Sequence, residues 1–108
     1  MALTRDFKEL IRDQAQSDPA FRKALLREAI DCMLSGDVAT GKAVLRNYIN
    51  ATVGFPDLEK TVHIPATSLM RMFGPRGNPS AANIFGVIAE LQKHEGIHFE
   101  VRATNKGW

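Results

Sequence analysis

The clearest structural pattern in the chain lies in residues 55–91, FPDLEKTVHIPATSLMRMFGPRGNPSAANIFGVIAEL. This segment reads as a short helix, a tight turn, a second short helix, a loop and a longer amphipathic helix. Leu58 and Val62 lie four residues apart, so both would face the core from the first short helix. Ile64 would fill the space between the two short helices. Pro65 suits the first turn of the second, because its missing N–H costs nothing there.

The second short helix has one apolar side and one small, mostly polar side. Leu69, Met72 and Phe73 share the apolar side, because steps of three and four residues return to the same helix face. Gly74 and Pro75 favour an end to the helix at that point. The outer side consists of Ala66, Thr67, Ser68, Met70 and Arg71. A small-residue face that ends in a guanidinium is typical of a helix that enters the major groove of DNA.

Residues 64–91 resemble the helix-turn-helix core of the Cro and phage-repressor-like superfamily, the lambda-repressor-like fold. The resemblance is strongest to the branch of bacterial addiction-module antidotes, or antitoxins, in which a pattern GIP..SLyR.L...GNP....l..vl..L recurs. It covers about the last half of the chain well and the first third poorly. It implies a DNA-binding regulator, and more specifically the antidote of a toxin–antitoxin module.

Two positions depart from the pattern of this family. Glu59 stands where these motifs usually carry Ala, and His63 stands where they usually carry Gly. A small residue at the first position lets the helices approach, and Gly at the second accepts a left-handed turn conformation. The departures predict a slightly opened pair of helices. We interpret His63 as a turn residue, because no second ligand supports a metal role.

Position in this unit assigns a role to each candidate DNA-binding residue. Thr67 and Arg71 suit base contacts, since Arg can bind guanine through two hydrogen bonds and Thr offers a hydroxyl and a methyl. Ala66 would allow close approach, and Met70 would either meet a thymine methyl or cover a neighbouring side chain. The candidates for phosphate contacts are Ser68, Arg76 and Asn78. The last of these would otherwise cap a helix that begins at Pro79.

Charge is distributed unevenly, although the net charge is only +2. Residues 60–89 contain no Asp or Glu, which suits a surface that meets phosphates. A net charge this small predicts weak DNA affinity for one subunit, so a homodimer or a larger assembly would be needed at cellular salt. No nucleophile motif, glycine-rich phosphate loop or metal-ligand spacing points to an enzyme, a metal or a cofactor.

The first third of the chain predicts an N-terminal helical extension. One helix is expected over residues 5–16, with Thr4 as its cap, and a second between Asp18 and Gly36. The second is apolar over so much of its circumference that it would be a central core helix or a partner face. We interpret the single cysteine within it, Cys32, as a buried thiol.

A third helix is expected after Asp37, the predicted cap, and it would end near Gly54. Lys42 and Arg46 lie one turn apart in this helix, and the pattern places both on its outer face. Such a pair is either a solvated surface or a phosphate clamp.

Residues 97–102 alternate between apolar and polar side chains, which predicts a half-buried β-strand. Nothing earlier in the chain supplies a partner strand, so this one would pair across a two-fold axis or with another protein. Ile97, Phe99 and Val101 then form the candidate dimer interface. The alternative is an extended tail that lies over the helices.

The chain of 108 residues is long enough for one domain with a modest core. We expect a mainly helical, all-α domain of five to six helices with one C-terminal β-strand. Residues 1–36 would form the helical extension, residues 37–96 the helix-turn-helix unit, and residues 97–108 the strand and tail. The N-terminus is too polar for a signal sequence, and no apolar run reaches membrane-spanning length, which predicts a cytoplasmic location.

The expected function is sequence-specific regulation of transcription by a homodimer on double-stranded DNA, with a small toxin protein as a possible further partner. The alternative is a helical protein-binding module that holds a toxin or another partner without reading DNA. Glu59 and His63 favour this alternative, whereas the acid-free residues 60–89 oppose it.

Overall fold

Six helices follow one another in the computed structural model, which describes residues 3–105 and gives side chains from residue 9 onward. They are α1 (Leu3–Ser17), α2 (Pro19–Leu34), α3 (Val38–Ala51), α4 (Phe55–Val62), α5 (Ala66–Met72) and α6 (Ala81–Glu95). The prediction of an all-α domain is confirmed. The predicted C-terminal strand is wrong, since residues 97–102 form no strand in the described part of the chain. Within that part, no helix is both long enough and apolar enough to cross a membrane.

Local capping chemistry sets where α2 and α3 begin. The Asp18 carboxylate accepts hydrogen bonds from the backbone N–H groups of Ala20 and Phe21. The Asp37 carboxylate likewise accepts one from Thr40. Both side chains satisfy N–H groups that have no partner inside the helix, as their positions in the sequence predict.

Two predictions about the N-terminal helices need correction. α1 begins at Leu3, so Thr4 lies inside the helix and cannot take the non-helical conformation of a cap. Cys32 is half-buried and not fully buried. Its Sγ lies 3.7 Å from Oε1 of Glu28, one turn earlier on α2 and exposed to solvent.

The core forms where α2, α3 and α6 meet the two short helices. Its largest fully buried side chains are Leu26, Leu45, Tyr48, Ile49, Leu58, Leu69, Phe73, Val87 and Leu91. α2 packs most extensively on α3. Gly41 permits this approach, because a Cβ there would lie 2.6 Å from Cγ of Met33. One side of α2 is therefore a core face, while Leu34 at its end remains exposed.

One carboxylate joins the N-terminal helices to the rest of the domain. Glu95, the last residue of α6, accepts a hydrogen bond from the Tyr48 hydroxyl at 2.6 Å and another from Nε of Arg22 at 2.9 Å. Arg22 also donates from Nη1 to the backbone carbonyl oxygen of Ala15 at 2.6 Å. Groups from α1, α2, α3 and α6 thus converge around a carboxylate whose side chain is only 4% exposed.

The network fixes the protonation states of its members. Burial acts to raise the pKa of Glu95, but the hydrogen bonds from Tyr48 and Arg22 outweigh it and leave the pKa below its ordinary value. Burial and the hydrogen bond to Glu95 both raise the pKa of Tyr48. At neutral pH the carboxylate is therefore charged and the phenol keeps the proton that it donates.

We expect Glu95→Gln to lower the free energy of unfolding by about 2–4 kcal/mol at pH 7, because Arg22 would lose its counter-charge in a half-buried position. A carboxyl whose pKa is lower in the folded state stabilises the fold above its unfolded pKa. That contribution is lost as the pH falls through the folded pKa. The difference in the free energy of unfolding between the variant and the wild type should therefore become smaller below about pH 4. Urea denaturation at neutral and acidic pH measures both effects.

Asp31→Asn is the matched control, because the exposed Asp31 carboxylate lies 3.8 Å from Arg27 on the same helix. Such a surface pair contributes little, so this variant should unfold like the wild type. If Glu95→Gln lowered the free energy of unfolding by the same amount at every pH, the result would contradict a role for the Glu95 charge.

Candidate nucleic-acid interface

The turn between α4 and α5 has a left-handed backbone at His63. His63 takes φ 60° and ψ 35°, and its N–H donates to the carbonyl oxygen of Glu59 at 2.9 Å. A non-glycine residue pays a modest conformational cost there, roughly 1 kcal/mol. His63 is exposed and Ile64 packs against the core. His63 therefore adopts the left-handed turn conformation without being a glycine.

Glu59 makes a specific contact that the sequence analysis missed. Its Oε1 accepts a hydrogen bond from the backbone N–H of Ala66 at 2.7 Å. Pro65, the residue before α5, offers no side-chain acceptor. Glu59 therefore supplies from α4 the hydrogen bond that a cap residue would supply locally. The side chain thus connects the two short helices, and the opened pair stays a prediction.

The outer side of α5 presents the predicted residues to solvent. Thr67, Met70 and Arg71 are exposed and share one helix face, while Ala66 and Ser68 are half-buried. Met70 is 52% exposed, an apolar side chain between polar neighbours on this face. The side chain of Arg71 has no hydrogen bond or ion pair with the described residues, so its guanidinium is available to a ligand.

A buried lysine from α3 holds the loop that follows α5. Lys42 is 8% exposed, and its Nζ donates to the carbonyl oxygens of Gly77 at 2.5 Å and Gly74 at 3.3 Å. The prediction that Lys42 lies on the outer face of α3 is wrong, because the loop after α5 covers it. Its neighbour Arg46 is half-buried beside the same loop, where it lines a small cavity with Gly74 and Pro75.

Gly77 closes this loop against the end of α5. A Cβ at this position would overlap the carbonyl oxygens of Arg71 and Met72, so a larger residue would displace the loop. The N–H of Gly77 donates to the carbonyl oxygen of Gly74 at 3.1 Å. The result is a tight turn over residues 74–77 that leaves Arg76 exposed.

Asn78 does not cap the helix that follows. α6 begins at Ala81, and its cap is Ser80, whose Oγ accepts a hydrogen bond from the N–H of Asn83 at 3.1 Å. Ser80 is as effective a cap as Asn and stands directly before the helix, which explains why it takes this role. Asn78 stays exposed beside Arg76, as a phosphate contact requires.

Local charges near α5 are mostly positive. Lys60 lies 3.5 Å from Asp57 in an exposed pair, so these two largely cancel. The Glu59 carboxylate faces the N-terminal end of α5, where the helix dipole favours a negative charge. Arg71 and Arg76 have no carboxylate partner among the described residues. The surface formed by α5 and its following loop is therefore locally cationic.

The C-terminal residues lie over the helices as an extended tail, the alternative considered for this segment. Ile97 and Phe99 pack against the core, and the N–H of Phe99 donates to Oε1 of Gln92 at 2.7 Å. No strand partner exists among the described residues, so this side-chain contact takes the place of a ladder hydrogen bond. Val101 is 79% exposed. Of the three predicted interface residues, it is the one that the chain itself leaves uncovered.

We expect Glu59→Ala to lower the melting temperature, because it removes the side-chain hydrogen bond that caps α5; such caps contribute about 0.5–2 kcal/mol. Glu59→Gln keeps a carbonyl oxygen that can accept the Ala66 N–H, so it should recover part of the loss. Glu100→Ala removes an equal charge from an exposed position in the tail and serves as the control. Thermal unfolding by circular dichroism measures all three. A higher melting temperature for Glu59→Ala would show that the helices gain from a smaller residue.

Comparison with known proteins adds no identification. No protein-family model, curated protein or solved structure matches this chain. The relation to phage-repressor-like regulators and antitoxins therefore remains a prediction from the residues of the motif.

Proposed function

We propose that this chain is a sequence-specific DNA-binding regulator that inserts α5 into the major groove. The observation that carries the proposal is the outer side of α5, where Thr67, Met70 and Arg71 form one exposed face. A helix of 7 residues that is anchored by the buried Leu69 can present such a face to base edges. The cationic surface around it suits an approach to phosphates.

In this proposal some residues of the interface contact bases and others contact phosphates. Arg71 binds guanine through its two parallel donors, and Thr67 contacts a neighbouring base through its hydroxyl or methyl. Ala66 allows the close approach, and Met70 contacts a thymine methyl. Phosphate contacts come from Ser68, Arg76 and Asn78, which fix the orientation of the helix without reading the sequence.

The proposed DNA-binding form is a homodimer. The net charge of +2 gives one subunit little non-specific affinity, and two subunits on adjacent half-sites multiply the contacts. Two tails that pair antiparallel would supply each other with the missing strand partner, with Val101 in the new apolar layer. A two-fold axis of this kind would have to place the two copies of α5 about 34 Å apart, one turn of DNA.

The second candidate is a protein-binding module that holds a small toxin. Leu10 and Leu34 are exposed on the N-terminal helices, which offers apolar surface to a partner away from α5. The antidote role rests on the sequence resemblance and adds to DNA binding, since such a protein could carry both surfaces. Co-purification with the product of the adjacent reading frame tests it.

We expect Arg71→Ala to weaken binding to the DNA upstream of the gene by about 1–3 kcal/mol and to relax the sequence preference. Arg76→Ala should weaken binding to all DNA sequences alike. It should also reduce the slope of log affinity against log salt concentration by about one. Titrations with specific and random duplexes at several salt concentrations separate the two effects.

Arg27→Ala is the control for lost charge, because Arg27 is exposed on α2 and pairs with Asp31. It should leave DNA affinity close to that of the wild type. Equal affinities for the wild type, Arg71→Ala and Arg76→Ala would mean that α5 is not the recognition helix.

We expect Val101→Asp to produce monomers that bind DNA more weakly while the helices stay folded, because Val101 makes little contact with its own chain. Light scattering measures the mass and circular dichroism the stability. Phe99→Asp is less informative, since Phe99 also packs against the core. Should the Val101→Asp protein and a form that ends at Gly96 both remain dimers, the tail is not the interface. The exposed end of α2 then becomes the candidate.

A further inference from the structure

Lys42 is a buried cation that the proposed DNA contacts do not use. Among the described residues no carboxylate pairs with it, and its Nζ meets only the carbonyl oxygens of Gly77 and Gly74. Removal of an ammonium from water is costly, and two neutral carbonyl groups compensate less well than a carboxylate does. A methionine or leucine at this position would fill the same space without that cost. The groups that the Lys42 ammonium binds therefore indicate its role.

The two hydrogen bonds of Lys42 hold both ends of a short segment. Gly74 is its first residue and Gly77 its last, and Arg76 lies between them. On the opposite side, Gly77 is pressed against the last carbonyl groups of α5. The backbone on either side of Arg76 is thus fixed from α3 and from α5 at once. A loop of this kind would otherwise sample many conformations, and binding would have to order it.

We propose that Lys42 is a positioning residue for DNA binding, which fixes segment 74–77 so that Arg76 meets a phosphate beside α5. The inference rests on the proposed function, because it assigns the phosphate contact to Arg76. Lys42 itself does not touch DNA. It acts only through Arg76, by holding the backbone on either side of it.

This role differs from a purely structural one in a measurable way. A residue that only stabilises the fold would change the melting temperature and leave the affinity of the folded protein unaltered. A residue that positions Arg76 must instead be coupled to it. The effect of losing Lys42 should then disappear once Arg76 has been removed, because there is nothing left to position.

The test compares Lys42→Met, Lys42→Arg, Arg76→Ala and the double variant Lys42→Met/Arg76→Ala in the full chain. DNA affinity is titrated on the duplex upstream of the gene at several salt concentrations, at a temperature where circular dichroism finds every variant folded. We expect Lys42→Met to weaken binding about tenfold and to lower the salt slope by about one, as Arg76→Ala does. The double variant should bind no more weakly than Arg76→Ala. Lys42→Arg, which retains donors and charge, should recover part of the affinity.

A second measurement does not depend on DNA. The N–H of Gly77 is hydrogen-bonded to Gly74 inside the segment that Lys42 holds. Its hydrogen exchange in the free protein should be faster in Lys42→Met, relative to amides in the middle of α6. If Lys42→Met fails to fold, Lys42→Gln replaces it in both measurements, because an amide keeps a neutral donor at shorter reach.

Three results would overturn the proposal. They are unchanged exchange at Gly77, an unchanged salt slope in Lys42→Met, and losses for Lys42→Met and Arg76→Ala that add fully in the double variant. Failure of the proposed function is distinguishable, since the wild type would then show no sequence-specific binding at all. In that case the exchange measurement still decides whether Lys42 holds the segment.

Discussion

The buried carboxylate of Glu95 is the constraint on which the arrangement of the helices depends. It ends α6 and accepts hydrogen bonds from Tyr48 on α3 and Arg22 on α2. Arg22 also donates a hydrogen bond to the backbone carbonyl oxygen of Ala15 on α1. α4 and α5 have 8 and 7 residues and are too short to be stable alone, so they depend on the scaffold that α3 and α6 provide. The N-terminal helices, which the motif of the second half does not include, are thus coupled to its geometry. Any function of α5 relies on the whole bundle.

Local patterns in the sequence were sufficient for most of the helices and for the exposed face of α5. Apolar spacing located the helices, and Asp18 and Asp37 are caps because the groups that they satisfy lie two or three residues away. The contacts that build the candidate interface are of another kind. Lys42 binds a carbonyl group 35 residues later, and Arg22 binds a carboxylate 73 residues later. Sequence periodicity cannot predict such pairs, because the contacts form only when the helices pack together. An outer-face prediction for Lys42 was therefore reasonable from α3 alone and wrong in the fold.

The tail illustrates the limit of a period-two pattern. Ile97 and Phe99 do face the core while His98 and Glu100 face solvent, so the alternation is real. A β-strand additionally requires a neighbour whose backbone groups are free, and the described chain offers none. Gln92 satisfies the N–H of Phe99 through its side chain instead. Alternation thus establishes which side of an extended segment is buried, and the presence of a strand depends on what lies beside it.

The small net charge of this chain is a poor guide to its surface, because most of the cancellation takes place away from α5. Arg22 is neutralised by Glu95 within the bundle, and the exposed Lys93 lies 3.3 Å from Glu90 on the same helix. The charges of Arg71 and Arg76 are left uncompensated, since no carboxylate of the described residues pairs with either side chain. What matters for a ligand is the charge that the fold leaves uncompensated within about a Debye length of the contact, roughly 8–10 Å, and not the sum over the chain. By that measure the surface beside α5 is cationic, and the buried Lys42 beneath the loop holds the segment that carries Arg76.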